Sequence, residues 1–299
     1  MLNVTRLRHR RIFESLNTLL LSAFLANLAF SFSANAAAPK IRFDGEVAYS
    51  NDDNVTKAAR DQDIEEDSFA SAAMGATYVH AIDIANRIVI RGLIRGEFFN
   101  EFDGLSNTTG SVTATYQYRG SGEFLAPTYS AFIKAGIAEY DSELRDSDLF
   151  SAGVSVRKAF TDRISGLSVL QYNVRDSDST VFDTKDMSLL VNADYLLTQH
   201  STLYLTYNYL VGDITSSSGA WLRAVNAAEE INIDDAFPGT WFAYRLDGKT
   251  HVVTLGVNFQ LAEKHSLDFS ARWINSEADT DSEIYYERLQ LSAAYLIRF

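Results

Sequence analysis

Apolar and polar residues alternate with period two along the last stretch of the chain. Leu289, Leu291, Ala293, Tyr295, Ile297 and Phe299 share one face, and Arg288, Gln290, Ser292, Ala294 and Arg298 share the other. The same alternation recurs at 41–50, 68–79, 87–102, 108–119, 128–140, 148–160, 164–175, 186–197, 202–212, 250–261 and 266–276, and with 284–299 the stretches number twelve. One face of each is apolar, as with Ile41, Phe43, Val47 and Tyr49, or Ile88, Ile90, Ile94 and Phe98. The opposite face carries Arg, Glu, Thr, Ser, Gln and Asn. A strand that crosses a bilayer needs only about 9–11 tilted residues and is a weak signal alone, so repetition carries the assignment. The pattern predicts an all-β chain, a transmembrane antiparallel up-and-down β-barrel of twelve strands. Hydrocarbon offers no partner to an exposed backbone edge, so the first and last strands should pair.

A soluble antiparallel sandwich would alternate too. The aromatic residues argue against it: Tyr78, Phe102, Tyr118, Tyr129, Tyr195, Tyr209, Phe259 and Trp273 fall at strand ends, where a bilayer interface would lie. Connections also alternate in length. Short ones at 80–86, 120–127, 161–163, 198–201 and 262–265 alternate with longer, mostly acidic ones at 51–67, 103–107, 141–147, 176–184, 213–249 and 277–283. Outer-membrane barrels have short periplasmic turns and longer external loops, which places both ends of the barrel in the periplasm.

The beginning of the chain carries a different signal. Arg6, Arg8, Arg10 and Arg11 precede an apolar stretch over 16–32, and Ala34-Asn35-Ala36 offers a small-residue cleavage site, the three parts of a secretory signal peptide. The expected organisation is a leader over 1–36, cleaved near Ala36, and one barrel domain over 37–299 in the outer membrane of a Gram-negative bacterium. Removing the leader takes four arginines and one glutamate from 26 basic and 39 acidic residues, which leaves the exported part near −16. Nucleic acid is not an expected partner of so acidic a chain; outer-membrane lipid and lipopolysaccharide are. Cysteine is absent, so neither lipidation at cysteine nor a disulfide is expected. The terminal Phe299, with Ile297 and Tyr295 before it, resembles the assembly signal of outer-membrane proteins. That resemblance implies insertion by the barrel assembly machinery.

Strand parity places Arg42, Asp44, Glu46, Arg87, Arg91, Arg95, Glu97, Glu101, Arg119, Lys134, Arg157, Arg175, Asp194, Asp268, Arg272, Arg288 and Arg298 inside the barrel. Basic residues outnumber acidic ones there, against the sign of the whole chain. Arg87, Arg91 and Arg95 recur every four residues, roughly 13 Å per interval along one strand. The set resembles the arginine tracks of twelve-stranded porins for acidic oligosaccharides, a resemblance of architecture that covers no shared motif. The alternative is that these arginines pair with Glu97, Glu101, Asp194 and Asp268 and brace the interior. Twelve strands permit a narrow pore without requiring one.

The segment 213–249 is the longest and least regular, with Trp221, Arg223, Phe237, Trp241 and Arg245 beside the acidic residues Glu229, Glu230, Asp234 and Asp235. A loop this long is usually functional or disordered, and its aromatic residues argue against disorder. It is expected either to fold into the lumen as a constriction or to stand outside as a lid or receptor surface.

The acidic loops could hold calcium through oxygen ligands, but none has the spaced pattern with a glycine turn and a terminal glutamate, so no metal and no cofactor is expected. Twelve-stranded outer-membrane phospholipases use a serine and a histidine. Here His200-Ser201 and His265-Ser266 are adjacent pairs at turns and do not resemble that motif, so no enzyme is expected. The leading expectation is a narrow porin-like channel whose basic lumen favours small anionic solutes or acidic oligosaccharides. Its alternative is a plugged barrel with a structural, adhesive or export-accessory role.

Overall fold

The computed structural model describes residues 40–121, 123, 125–280 and 284–299, and among them are thirteen strands. They are β1 (Lys40–Asp52), β2 (Asp67–Ala81), β3 (Asn86–Phe99), β4 (Asn107–Tyr118), β5 (Thr128–Tyr140), β6 (Ser147–Ala159), β7 (Ile164–Ser177), β8 (Thr184–Thr198), β9 (Ser201–Ser218), β10 (Glu230–Ile233), β11 (Phe242–Ala262), β12 (His265–Ala278) and β13 (Tyr285–Arg298). Each of the twelve long strands pairs antiparallel with its neighbours, and β1 closes on β13 from Asp44↔Arg298 to Asp52↔Gln290. The short β10 bonds only to one end of β11 and stands outside the wall, where β9 and β11 pair directly. The result is a closed twelve-stranded up-and-down barrel. The expected leader and its cleavage site at Ala36 lie outside the described residues.

Exposure follows the predicted parity. Val47, Met74, Ile133, Val154, Leu205 and Leu291 are exposed on the outward wall, where lipid is their solvent. Tyr78, Tyr118, Tyr129, Tyr195, Tyr209, Phe259 and Trp273 share that outward face. Phe102 does not. It lies beyond β3 in a 3₁₀-turn region, buried against Phe237, Val55 and Leu105. Glu101 likewise belongs to the β3–β4 connection and not to the lumen wall.

The buried apolar residues are concentrated at the end of the barrel that carries the long connections. Val55, Phe102, Leu105, Ala236 and Phe237 form one cluster, Ile214, Ala224, Tyr244, Leu246, Ala278 and Ile284 another, and Val181, Phe182 and Ala243 a third. These connections therefore pack into a cap with its own core. The expected loop over 213–249 proves shorter, because β9 runs on to Ser218 and β11 begins at Phe242. In this extension Tyr244 and Leu246 on one face and Ala243 on the other are all buried. Within β9, Gly212 has a φ of +141° that is open only to glycine without strain; a Cβ there would sit 2.1 Å from the Lys185 carbonyl oxygen.

Candidate functional site: the lumen and its cap

Register pairs every lumen-facing residue with lumen-facing partners around the whole wall. Arg87, Arg91, Arg95, Lys134, Arg157, Arg175, Arg272 and Arg288 all fall in these rows, at Arg91↔Thr113↔Lys134 for example, or Thr254↔Arg272↔Gln290. Arg119 lies just past the end of β4, at the rim with the short turns, and donates to the Glu123 carbonyl at 2.6 Å.

The arginine track is not a row of free charges. Arg91 donates through both terminal nitrogens to Asp44, at 2.8 and 2.6 Å, and Arg95 reaches Glu46 at 2.6 Å and Glu97 at 3.3 Å. Both arginines cross β2 to reach β1, over Gly75 and Ala73. A Cβ on Gly75 would lie 2.5 Å from an Arg91 terminal nitrogen, so the missing side chain makes room for the pair to lie flat on the wall. Arg87 donates to Gln117 at 2.6 Å, and Arg157 stands 4.0 Å from Asp194. Elsewhere on the wall Tyr204 crosses Gly256 in the same way and donates to Asp268 at 2.7 Å. The bracing alternative named Glu97 and Asp194, which Arg95 and Arg157 do face; sequence reading missed Asp44 and Glu46, although glycines of lumen parity were visible as a signal.

Other basic residues of the lumen wall differ: Arg42, Arg87 and Arg298, at the rim with the short turns, have no ion pair among the described residues, and three more lie away from that rim. Lys134, Arg175 and Arg272 have no ion pair among the described residues. The neutral partner of Arg175 is Tyr140, with the hydroxyl at 3.2 Å and the guanidinium over the ring at 5.6 Å. The lumen carboxylates, in contrast, are satisfied. Asp52 takes Arg288 and Gln290, Asp67 takes the backbone N–H groups of Glu101 and Phe102, and Asp186 takes Asn173 at 2.8 Å.

The cap is held by a strap over residues 230–241. Asp234 is fully buried and accepts two bonds from Arg145, at 2.9 and 2.7 Å, and one from Ser217. Ala236 packs on Gly104 so closely that a Cβ there would lie 2.5 Å from its Cα. Phe237 meets Phe102 edge to face at 5.0 Å and Trp241 at 5.2 Å. The strap thus runs from the β9–β11 hairpin to the turns that follow β3 and β5. Arg245, on β11, donates to the Thr180 carbonyl at 2.7 Å and pairs with Glu229 at 3.4 Å. Trp221 and Arg223 lie around the start of α1 (Leu222–Ala227), and Arg60 sits 5.4 Å above the Trp221 ring.

The first long connection, 53–66, completes the cap. Asn54 ties it together, donating to the carbonyls of Ala58 and Glu287 and accepting from the Ala58 N–H. Next to it Lys57 takes a φ of +55° and reaches Thr215 at 3.2 Å. Beneath lies a chamber of about 410 Å³ lined by Lys57, Arg145, Arg175 and Arg288 together with Glu97 and Asp213.

No protein-family model matches the sequence, and no curated protein matches it. Among solved structures, an outer membrane channel from Pseudomonas putida F1 superposes with a TM-score of 0.58 at 10% identity, over 89% of this chain and all of that one. The chain has the outer-membrane β-barrel fold. A KdgM porin in complex with disordered oligogalacturonate aligns at 0.43 and 11% over 86% of this chain and 99% of that one. The DcaP channel of Acinetobacter baumannii aligns at 0.42 and 9% over 89% and 99%.

The residues of the expected assembly signal close this barrel. Phe299 donates its N–H to the Phe43 carbonyl at 3.0 Å and leaves its ring exposed; Ile297 pairs with Gly45, and the Tyr295 hydroxyl lies 2.6 Å from His265 on the outward face. Ser201 bonds to Thr198 at 2.7 Å, and Ser266 accepts from Asn258 at 3.5 Å.

Proposed function

We propose that this barrel is a narrow channel of the Gram-negative outer membrane, exported through its cleaved leader, that favours small anions and is gated by its cap. One observation carries the reading. Every lumen carboxylate described above has a donor, whereas Lys134, Arg175 and Arg272 face the bore with no carboxylate partner. A low-dielectric wall focuses the field of such charges on a passing ion. The short turns then face the periplasm and the cap faces outward, next to lipopolysaccharide. Tyr295, Ile297 and Phe299 serve insertion by the barrel assembly machinery.

The test is conductance and reversal potential of the refolded chain from residue 37 onward, in a planar bilayer across a salt gradient. Discrete anion-selective steps support the channel. The packed cap favours a second reading, a closed barrel whose external surface binds a partner; a correctly folded barrel that never conducts, even with the strap removed, selects it.

A further inference from the structure

The chamber under the cap has a chemistry of its own. Four basic side chains, Lys57, Arg145, Arg175 and Arg288, converge on it from the first connection, the β5–β6 turn, β7 and β13. Two of them are neutralised: Arg145 by Asp234 at 2.7 Å and Arg288 by Asp52. Glu97 and Asp213 also line the space, but Glu97 faces Arg95 at 3.3 Å and Asp213 faces Arg245 at 3.9 Å. The other two cations have only neutral partners, Thr215 for Lys57 and Tyr140 for Arg175. The rest of the lining is of two kinds. Thr184, Thr250 and Asn107 can donate hydrogen bonds, while Phe99, Leu105 and Phe182 offer apolar surface.

We propose that this chamber is a binding site for a small, singly charged organic carboxylate, held by Lys57 and Arg175 with its apolar body against Phe99, Leu105 and Phe182. The site deepens the anion-favouring reading of the lumen and rests on it. Charge count selects the ligand. Arg95 and Arg245 each serve two carboxylates, so the uncompensated positive charge is small and suits one negative charge better than two. The volume lies within the range of small-molecule pockets, about 300–1,000 Å³, and a lining richer in charged and hydroxyl groups than is usual for them suits an ionic ligand with a small apolar body. Because Lys57 hangs from the cap while Arg175 stands on the wall, a bound carboxylate would tie one to the other.

Calorimetric titration of the refolded barrel in detergent with benzoate, and separately with inorganic phosphate, at about pH 6 where the Lys57 ammonium keeps its proton, tests the site. The expected result is one benzoate per barrel, phosphate binding more weakly, and at least tenfold weaker benzoate binding for Lys57→Met and for Arg175→Met, with Lys57→Arg restored to within a few-fold. Heat-modifiable migration on gels shows that each variant is folded. Absent benzoate binding, equal binding by the methionine variants, or tighter binding of phosphate would overturn the assignment. A barrel that conducts anions without taking up benzoate would lose the chamber and keep the channel; a silent barrel that binds benzoate would lose the channel and keep the chamber.

Discussion

Asp52 and Arg288 stand 236 residues apart and meet across the seam where the first strand closes on the last. The Arg288 Nε donates to both carboxylate oxygens at 2.8 Å, Gln290 adds a bond at 2.8 Å, and Asp52 is completely buried. Removing one partner of a buried pair leaves an uncompensated charge, which costs about 3–5 kcal/mol. Asp52→Ala should therefore lower the stability of the refolded barrel by about that amount in urea titrations, while Asp52→Leu with Arg288→Met should cost clearly less. Equal losses in the two variants would mean that the seam depends on packing and not on the pair.

Tyr204 lies flat because Gly256 leaves room for it. A Cβ at Gly256 would stand 2.3 Å from the phenol ring, so Gly256→Ala must lift the ring toward the bore and weaken its 2.7 Å bond to Asp268. Forcing atoms into an occupied space typically costs about 1–3 kcal/mol. We expect a lower single-channel conductance together with a lower urea midpoint. Unchanged conductance would place the ring away from the conducting path.

The wall was legible in the sequence because a period of two is a local property. The stretch 128–140 matches β5 and 164–175 matches β7 up to its last two residues, and the lumen parity of Arg91, Lys134 and Arg272 follows directly. The cap was not legible, because its contacts join distant segments. Phe102 read as an interface aromatic since its apolar ring suits lipid and a protein core equally; only its encounter with Phe237 decides between them. The backbone roles of the acidic connections were not legible either: Asp146 accepts the Tyr140 N–H at 2.7 Å and Asp183 that of Ser177 at 2.6 Å, each satisfying a backbone group at the end of a strand. Lys57 carried no signal at all, since what matters is where the first connection holds it.

Paired and unpaired arginines should respond differently to neutralisation. Arg272 has no ion pair among the described residues, whereas Arg91 is matched by Asp44. Arg272→Gln should shift the reversal potential toward cation preference, and the double change Asp44→Asn with Arg91→Gln should leave it nearly unaltered. Arg91→Gln alone should mimic Arg272→Gln by baring Asp44. If the double change moves selectivity as far as Arg272→Gln does, the ion pairs belong to the track after all.

The strap should behave as a separable gate. Phe237 is buried between Phe102 and Trp241, and truncating a buried Phe to Ala costs about 3–5 kcal/mol, a loss that falls on the cap and not on the hydrogen-bonded wall. Phe237→Ala should raise open probability and speed proteolytic cleavage within 219–241, with the heat-modifiable barrel intact. A variant that loses the barrel itself would show that cap and wall fold as one unit.

Lys57 gives the gate a pH dependence. Burial, followed by the guanidinium groups of Arg288, Arg145 and Arg175, pushes its ammonium down from 10.5 to about 7, with Asp52 opposing. Glu97 and Asp213 face the same chamber but are engaged by Arg95 and Arg245, and Tyr140 and Tyr286 are the remaining titratable groups of its lining. With the cap closed Lys57 sheds its proton near 7; with the cap open it holds the proton up to its ordinary value. Between these two values the open state binds more protons, so the closed cap gains stability as pH rises through that window. Below about 7 the cost of burying the charge is fully present. Open probability should therefore rise as pH is lowered from about 9 to about 6, the range that brackets the shifted ammonium. Lys57→Met should abolish the dependence and keep the cap closed at both ends of the range. A wild-type channel whose gating is flat across that range would mean that Lys57 stays hydrated in the closed cap, and its place beneath the strap would then have no part in gating.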